Sequence, residues 1–277
     1  MSASVRDAFD LDARVAVITG GAGLLGRRHA EAVAELGGAV VLLDIDGAGA
    51  QDRAAEIGSE FGVPAAGLAC DITDSLQVTA ACEQVLERFK SVDILINNAA
   101  NNPAVEGEGA ATWGRLETLS LETWRADIDV GLTGAFLCAR TFGTVMASRG
   151  RGVILNVASD LALIGPDQRI YRDPDRPKET QPAKPVTYSV VKSGLLGLTR
   201  YLATYWADDG VRANSMSPGG IEAGQDERFV QRLSSLIPLG RMARADEYKA
   251  AIAFLVSDAS SYMTGANLVI DGGRTAW

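Results

Sequence analysis

Seven short runs rich in β-branched and other apolar residues alternate with helix-length segments along almost the whole chain. The runs fall at 14–19, 39–44, 65–70, 92–97, 153–159, 211–217 and 267–270, and they are apolar nearly throughout rather than at every second position. Strands of that kind are buried on both faces, as in a parallel sheet covered by helices on either side. The intervening segments supply such helices. One, 24–36, closes on Gly37-Gly38, and another, 75–89, begins with Thr73, Asp74 and Ser75 as caps. No internal repeat and no linker divides the chain. The expected architecture is therefore one doubly wound α/β domain over 1–277, with a seven-stranded parallel sheet and helices on both faces.

Composition excludes several function classes. The chain has 277 residues, of which 47% are apolar, ample for a core. A net charge of −9 argues against non-specific nucleic-acid binding, which needs a basic face. The longest apolar runs, such as 15–18 and 40–43, are strand-length, so no membrane span is expected. No basic-then-apolar leader precedes Val15, and a cytoplasmic location is expected. Cys70, Cys82 and Cys138 form no CxxC pair. His29 is the only histidine, so no metal site is expected. His29 reads as a packing or surface residue, and Cys138, in the apolar run 135–139, as a small core residue.

The segment 19–26, TGGAGLLG, lies directly between the first strand and the first helix. Glycines there let the backbone turn sharply and approach a pyrophosphate at the positive end of the helix. Gly20, Gly23, Leu24, Leu25 and Gly26 are the expected contacts. Such turns are common, but here Asp44 closes the second strand 18 residues after Gly26. A carboxylate at that place accepts hydrogen bonds from the ribose hydroxyls of NAD and repels the 2′-phosphate of NADP. The alternative is a surface aspartate that merely ends a strand. With no Arg or Lys in the loop, NAD is the expected cofactor.

Of six tyrosines only Tyr188 has a lysine four residues later, Lys192. On a helix the two share a face, and an ammonium near a phenol favours the phenolate, which suits a general acid/base. Taken alone this spacing is weak, because a Tyr and a Lys on a solvated helix face are ordinary.

Taken in order, TGGAGLLG at 19–26, CDIT at 70–73, NNAA at 97–100, NVAS at 156–159, YSVVK at 188–192, SPGGI at 217–221 and DGG at 271–273 resemble the short-chain dehydrogenase/reductase family over essentially the whole chain. The resemblance implies a single Rossmann domain with seven parallel strands, and an oxidoreductase acting on a secondary alcohol or ketone of a small molecule. It implies that Ser159 hydrogen-bonds the substrate oxygen, that Tyr188 exchanges the proton, and that Lys192 holds the nicotinamide ribose and depresses the Tyr188 pKa. By the same resemblance Asp71 and Ile72 flank the adenine, Asn98 and Ala99 line the cofactor groove, and Pro218, Gly219 and Ile221 surround the nicotinamide. A homotetramer is the implied assembly.

Three positions depart from the classical pattern. Leu24 fills the place of the middle glycine in the loop, giving TGxxGxxG, the form seen in sugar-nucleotide epimerases and dehydratases. Gly131 stands where the family's fourth catalytic residue, an asparagine, belongs, so either water and backbone complete the proton relay or turnover is slow. Ala223 replaces the usual threonine after the PG turn. The unusual loop, Gly131, the long 160–186 insertion and the ending DGGRTAW together resemble a smaller subset, some of whose members are linked to bacterial surface-sugar and flagellin-glycan pathways.

Two stretches break the strand–helix rhythm, 101–118 and 160–186, the latter with five prolines at 166, 174, 177, 182 and 185. Both follow strand C-termini, where ligands of such sheets bind. The second stretch is expected to loop over the active-site mouth. Asn101, Gln168 and Arg169 are then candidate substrate contacts, with Tyr171 and Arg172 beside them, and the arginines suit a carboxylate, sulfonate or phosphate. A solvated loop in a subunit contact is the competing reading, and Arg241 and Arg244 allow the same two. Function then falls among three classes. The first is an NAD-dependent dehydrogenase of a polyol, sugar or sugar acid. The second is a sugar-nucleotide epimerase or dehydratase that retains NAD. The third is a non-catalytic dinucleotide-binding protein, against which the intact Ser159–Tyr188–Lys192 set argues.

Overall fold

The computed structural model describes residues 4–101 and 114–277. Each of the seven expected runs forms a strand: β1 Val15–Thr19, β2 Ala39–Asp44, β3 Ala65–Ala69, β4 Ile94–Asn97, β5 Gly152–Val157, β6 Val211–Pro218 and β7 Asn267–Ile270. They make one parallel sheet in the order β3-β2-β1-β4-β5-β6-β7. The chain reverses its direction of travel across the sheet between β1 and β4, so a crevice opens at their C-terminal ends.

Successive strand residues point to opposite faces, and each face has its own core. Val15, Val17, Val41, Leu43 and Leu95 pack against α3 (Ser75–Phe89), α5 (Gly134–Ser148) and α6 (Val186–Tyr205). Ala16, Ile18, Val40, Leu42 and Ile96 pack against α1 (Leu24–Ala34), α2 (Gly47–Phe61) and α8 (Lys249–Val256). This is why the strands read as continuously apolar. Helix α1 ends at Ala34, two residues before the expected boundary, where Gly37 turns at φ +84° and the Gly38 N–H bonds back to the Val33 carbonyl. Strand β5 stops two residues early because Ser159 caps a short 3₁₀ turn, accepting from the Leu161 N–H at 3.2 Å.

The expectation that no segment could span a bilayer needs one correction. Helix α4 (Leu121–Ile128), a π turn (Asp129–Thr133) and α5 form a continuous 28-residue stretch, 121–148, whose most apolar window has a mean hydropathy of 1.3. Length and composition alone would let it cross a membrane. Half of that window is buried inside the protein, where Leu137, Phe142 and Met146 fill the core beneath β4 and β5.

His29 lies on α1, fully buried, with neither ring nitrogen hydrogen-bonded among the described residues. Burial, and then the Lys192 ammonium, push its pKa down from 6.5 to about 3. Between those two values the unfolded chain binds a proton that the folded protein refuses. Stability is therefore whole above about pH 6.5 and is lost as pH falls, by about 1.4 kcal/mol for each pH unit. We expect His29→Leu to flatten the fall in melting temperature between pH 6.5 and 4. An unchanged slope would show that another group causes the acid lability.

Candidate active site

The crevice at the β1/β4 reversal is a cleft of about 740 Å3. Its floor begins with the glycine loop. Gly20 sits at φ +65°, and a Cβ on Gly26 would fall 2.2 Å from the Gly20 carbonyl oxygen, so the loop and α1 meet backbone to backbone. Helix α1 starts at N-cap Gly23 with no capping side chain, and Gly23, Leu24, Leu25 and Gly26 line the cleft. Uncapped N–H groups at a helix start are the donors that a pyrophosphate takes. The loop is anchored from β4. The Asn98 side-chain amide donates to the Thr19 and Gly20 carbonyls at 2.9 and 3.2 Å, and the Asn98 and Ala99 N–H groups donate to Thr19 Oγ1. Asp44 ends β2 at the lip of the cleft, with Oδ2 accepting from the Ala22 N–H at 3.0 Å. The loop, the bare helix start and the carboxylate thus fit the pyrophosphate and ribose of a dinucleotide.

Asp71, Ile72, Asn98, Ala99 and Asn101 line the same cleft, as do Pro218, Gly219 and Ile221 from the end of β6. So do Ser159, Tyr188 and Lys192. Ser159 follows β5, while Tyr188 and Lys192 stand one turn apart on α6. Lys192 is almost fully buried and its ammonium donates to the Val157 carbonyl at 2.7 Å. Burial, and then the nearby Lys184, bring its pKa down to about 8.

Tyr188 departs from the expectation that Lys192 depresses its pKa. In the protein itself burial pushes the phenol up, opposed by its hydrogen bond with Ser159 and reinforced by the Asp160 carboxylate. The Lys192 ammonium is 5.8 Å from the Tyr188 ring centroid, whereas that of Lys184 is 3.9 Å away on the ring face.

Gly131 sits within the π turn, and a Cβ there would lie 2.4 Å from Val191 Cγ1 on α6. The valine fills the room that a side chain at 131 would need. Beside it is a side cavity of about 10 Å3 lined by Asp127, Gly131, Thr187 and Lys192, enough for one water.

Two expected substrate contacts do not line the cleft. Gln168 is spent on the backbone of Lys184, donating to its carbonyl at 3.1 Å and accepting from its N–H at 2.9 Å. Arg169 points outward in an ion pair with Asp167 at 2.6 Å. Arg241 and Arg244 are likewise engaged by Glu247. The 160–186 segment folds into three 3₁₀ turns rather than an open loop. Its Ile170 and Tyr171 pack with Phe229 and Leu233 of α7 (Glu227–Ser234), and Arg232 donates to the Ile170 and Arg172 carbonyls. Tyr171 does line the cleft. The rest of 101–118 beyond Asn101 lies largely outside the described residues.

Three cleft residues carry no signal in the sequence: Asp160, Lys184 and Arg274. Asp160 accepts from Ser159 Oγ at 2.8 Å, and its other oxygen lies 3.1 Å from Arg274 Nε. Burial pushes the Asp160 pKa up, while Ser159 and Arg274 pull it down. The pairing spans more than a hundred residues of chain, which no local spacing reveals.

A family model described as short chain dehydrogenase matches residues 14–171, and one described as Enoyl-(Acyl carrier protein) reductase matches residues 178–275. D-threitol dehydrogenase of Mycolicibacterium smegmatis is 36% identical, over 96% of this chain and 95% of its own. Cis-4-hydroxycyclohexanecarboxylate dehydrogenase of Sinomonas cyclohexanicum is 35% identical, over 95% of this chain and 97% of its own. Among solved structures, a short-chain type dehydrogenase/reductase from Mycobacterium marinum superposes with a TM-score of 0.85 at 31% identity, covering 99% of this chain and all of that one.

Proposed function

The chain belongs to the short-chain dehydrogenase/reductase family, and on that premise we propose that it is an NAD-dependent oxidoreductase interconverting a secondary alcohol and its ketone. The substrate class is a polyol, sugar or sugar acid. One observation carries the reading: Ser159, Tyr188 and Lys192 face the same cleft as the glycine loop and Asp44.

The chain's own groups divide the work. Gly20, Gly23 and Gly26, with the N–H groups that open α1, hold the pyrophosphate, and Asp44 holds the ribose hydroxyls. When bound, NAD supplies the hydride acceptor for oxidation, and its reduced form the donor for reduction. Ser159 turns its hydroxyl from Asp160 to donate a hydrogen bond to the substrate oxygen and orients it. Tyr188 takes the hydroxyl proton during oxidation and returns it during reduction. Lys192, braced by the Val157 carbonyl, keeps a positive charge beside the phenolate that forms and holds the nicotinamide ribose. Water in the side cavity at Gly131 relays the proton onward in place of an asparagine side chain. A homotetramer suits the exposed apolar side chains of Phe136 on α5 and of Val190, Tyr201 and Tyr205 on α6, an unusual density for a free surface.

The two similar enzymes named above act, by their names, on a neutral polyol and on a hydroxy acid, and their identities to this chain are nearly equal. The test is an NAD-linked activity screen across sugars, polyols and hydroxy acids, run on the wild type and on Asp44→Ala. We expect turnover with NAD in preference to NADP. Loss of the charged hydrogen bonds to the ribose should cut kcat/KM for NAD about 10- to 100-fold. No turnover of any secondary alcohol would overturn the reading. An unchanged NAD preference in Asp44→Ala would overturn the role of Asp44.

A further inference from the structure

The last residues of the chain return to the active site. After β7 the backbone turns through Gly272 and Gly273, both at positive φ, into a short 3₁₀ turn that carries Arg274 into the cleft. The arginine is 5% exposed. Its Nε lies 3.1 Å from Asp160 Oδ2, yet neither Nε nor Nη1 has a hydrogen-bond acceptor among the described residues. A buried donor without an acceptor costs free energy, more so when it is charged, and such a group is retained where a ligand completes it.

We propose that Arg274 is a specificity residue that receives a carboxylate of the substrate, so that the preferred substrate is a hydroxy acid rather than a neutral polyol. This rests on the dehydrogenase reading and narrows its substrate class. The planar guanidinium matches a carboxylate with two parallel hydrogen bonds, each about twice as strong as a neutral one. Asp160, which anchors the arginine, also holds Ser159, so the carboxylate site and the reacting hydroxyl are built from one connected set of side chains. A second cation, Lys184, lines the same cleft over the ring of Tyr188. Other groups engage Asp160 through Oδ1 and Asp271 through both oxygens. Asp160 accepts from Ser159 Oγ and the Leu161 N–H, and Asp271 accepts from the Gly273 and Thr275 N–H groups at 2.9 and 2.8 Å. Asp160 Oδ2 faces Nε at 3.1 Å and accepts no other hydrogen bond among the described residues, while Nη1 has no acceptor from either carboxylate.

The proposal is tested by binding, which does not depend on turnover. Cyclohexanecarboxylate and D-gluconate are titrated calorimetrically into the protein with saturating NADH, each against its uncharged carboxamide. We expect at least one acid to bind tenfold or more tightly than its amide. Arg274→Gln should bring the two within twofold by weakening the acid alone, and Arg274→Lys should restore part of the gap. Because Arg274→Gln leaves Asp160 unpaired and could unfold the protein, the double variant Asp160→Asn/Arg274→Gln removes both charges and should show the same loss. The idea is overturned if neither acid is preferred by the wild type. It is also overturned if the preference survives in either variant, or if acid and amide weaken together, as a purely structural role requires. Tyr188→Phe, which tests the chemistry, should keep the acid preference. An acid preference without turnover of any alcohol would therefore sink the dehydrogenase reading, and with it the substrate assignment, while leaving a carboxylate site at Arg274.

Discussion

Replacing Tyr188 by phenylalanine is expected to lower kcat/KM for alcohol oxidation by about 1000-fold, equivalent to about 4 kcal/mol of transition-state stabilisation. The phenol meets Ser159 on one side and the two lysines Lys184 and Lys192 on the other, and the substitution removes the oxygen that carries the proton without changing the ring. The ring is half-buried and keeps its place, so packing should be kept and the melting temperature should move by a few degrees at most. Dinucleotide affinity, read from quenching of protein fluorescence by NADH, should stay within a few-fold, because the glycine loop and Asp44 are untouched. Burial raises the Tyr188 pKa, so oxidation by the wild type should quicken as pH rises and the phenol deprotonates. That ascending limb should vanish in the variant. Retained activity would falsify the assignment of Tyr188 as the proton carrier.

The second large effect concerns the backbone. In Gly26→Ala the new methyl would fall 2.2 Å from the Gly20 carbonyl oxygen and 2.8 Å from Gly21 Cα, both backbone atoms with no flexible end to yield. Helix α1 must then move away from the loop, at a cost of about 1–3 kcal/mol in folding. The N–H groups at its start leave the pyrophosphate position as well, so NADH affinity should fall 100-fold or more. Gly23→Ala is the matched control. Its methyl would meet only the Gly20 carbonyl oxygen, at 3.4 Å, so folded stability should be nearly unchanged. Equal loss of stability in the two variants would show that the close approach at Gly26 is not what holds the loop.

The expectations that rest on short-range pattern agree with the structure because the physics behind them is local. A strand buried on both faces must be apolar at successive positions, so the inner strands could be read directly, and the boundaries of all seven runs erred by no more than two residues. Asp44, Tyr188 and Lys192 were legible for a related reason. One closes a strand, and the other two share a helix face at a spacing of four. The substrate side of the cleft was not legible. Gln168 and Arg169 sit in the segment that folds beside the site, but whether a long polar side chain turns inward depends on its nearest partner. Here those partners are the Lys184 backbone and Asp167.

The sequence by itself therefore determined the doubly wound sheet, the glycine loop between β1 and α1 and the shared helix face of Tyr188 and Lys192, since each follows from residue type at a fixed local interval. Tertiary structure alone decided which glycine cannot carry a methyl, why Val191 leaves no room for a side chain at 131, and that Arg274 meets Asp160 beside Ser159. Those facts come from backbones and side chains brought together across the sheet from distant parts of the chain. Packing geometry, not spacing, sets the distances between them.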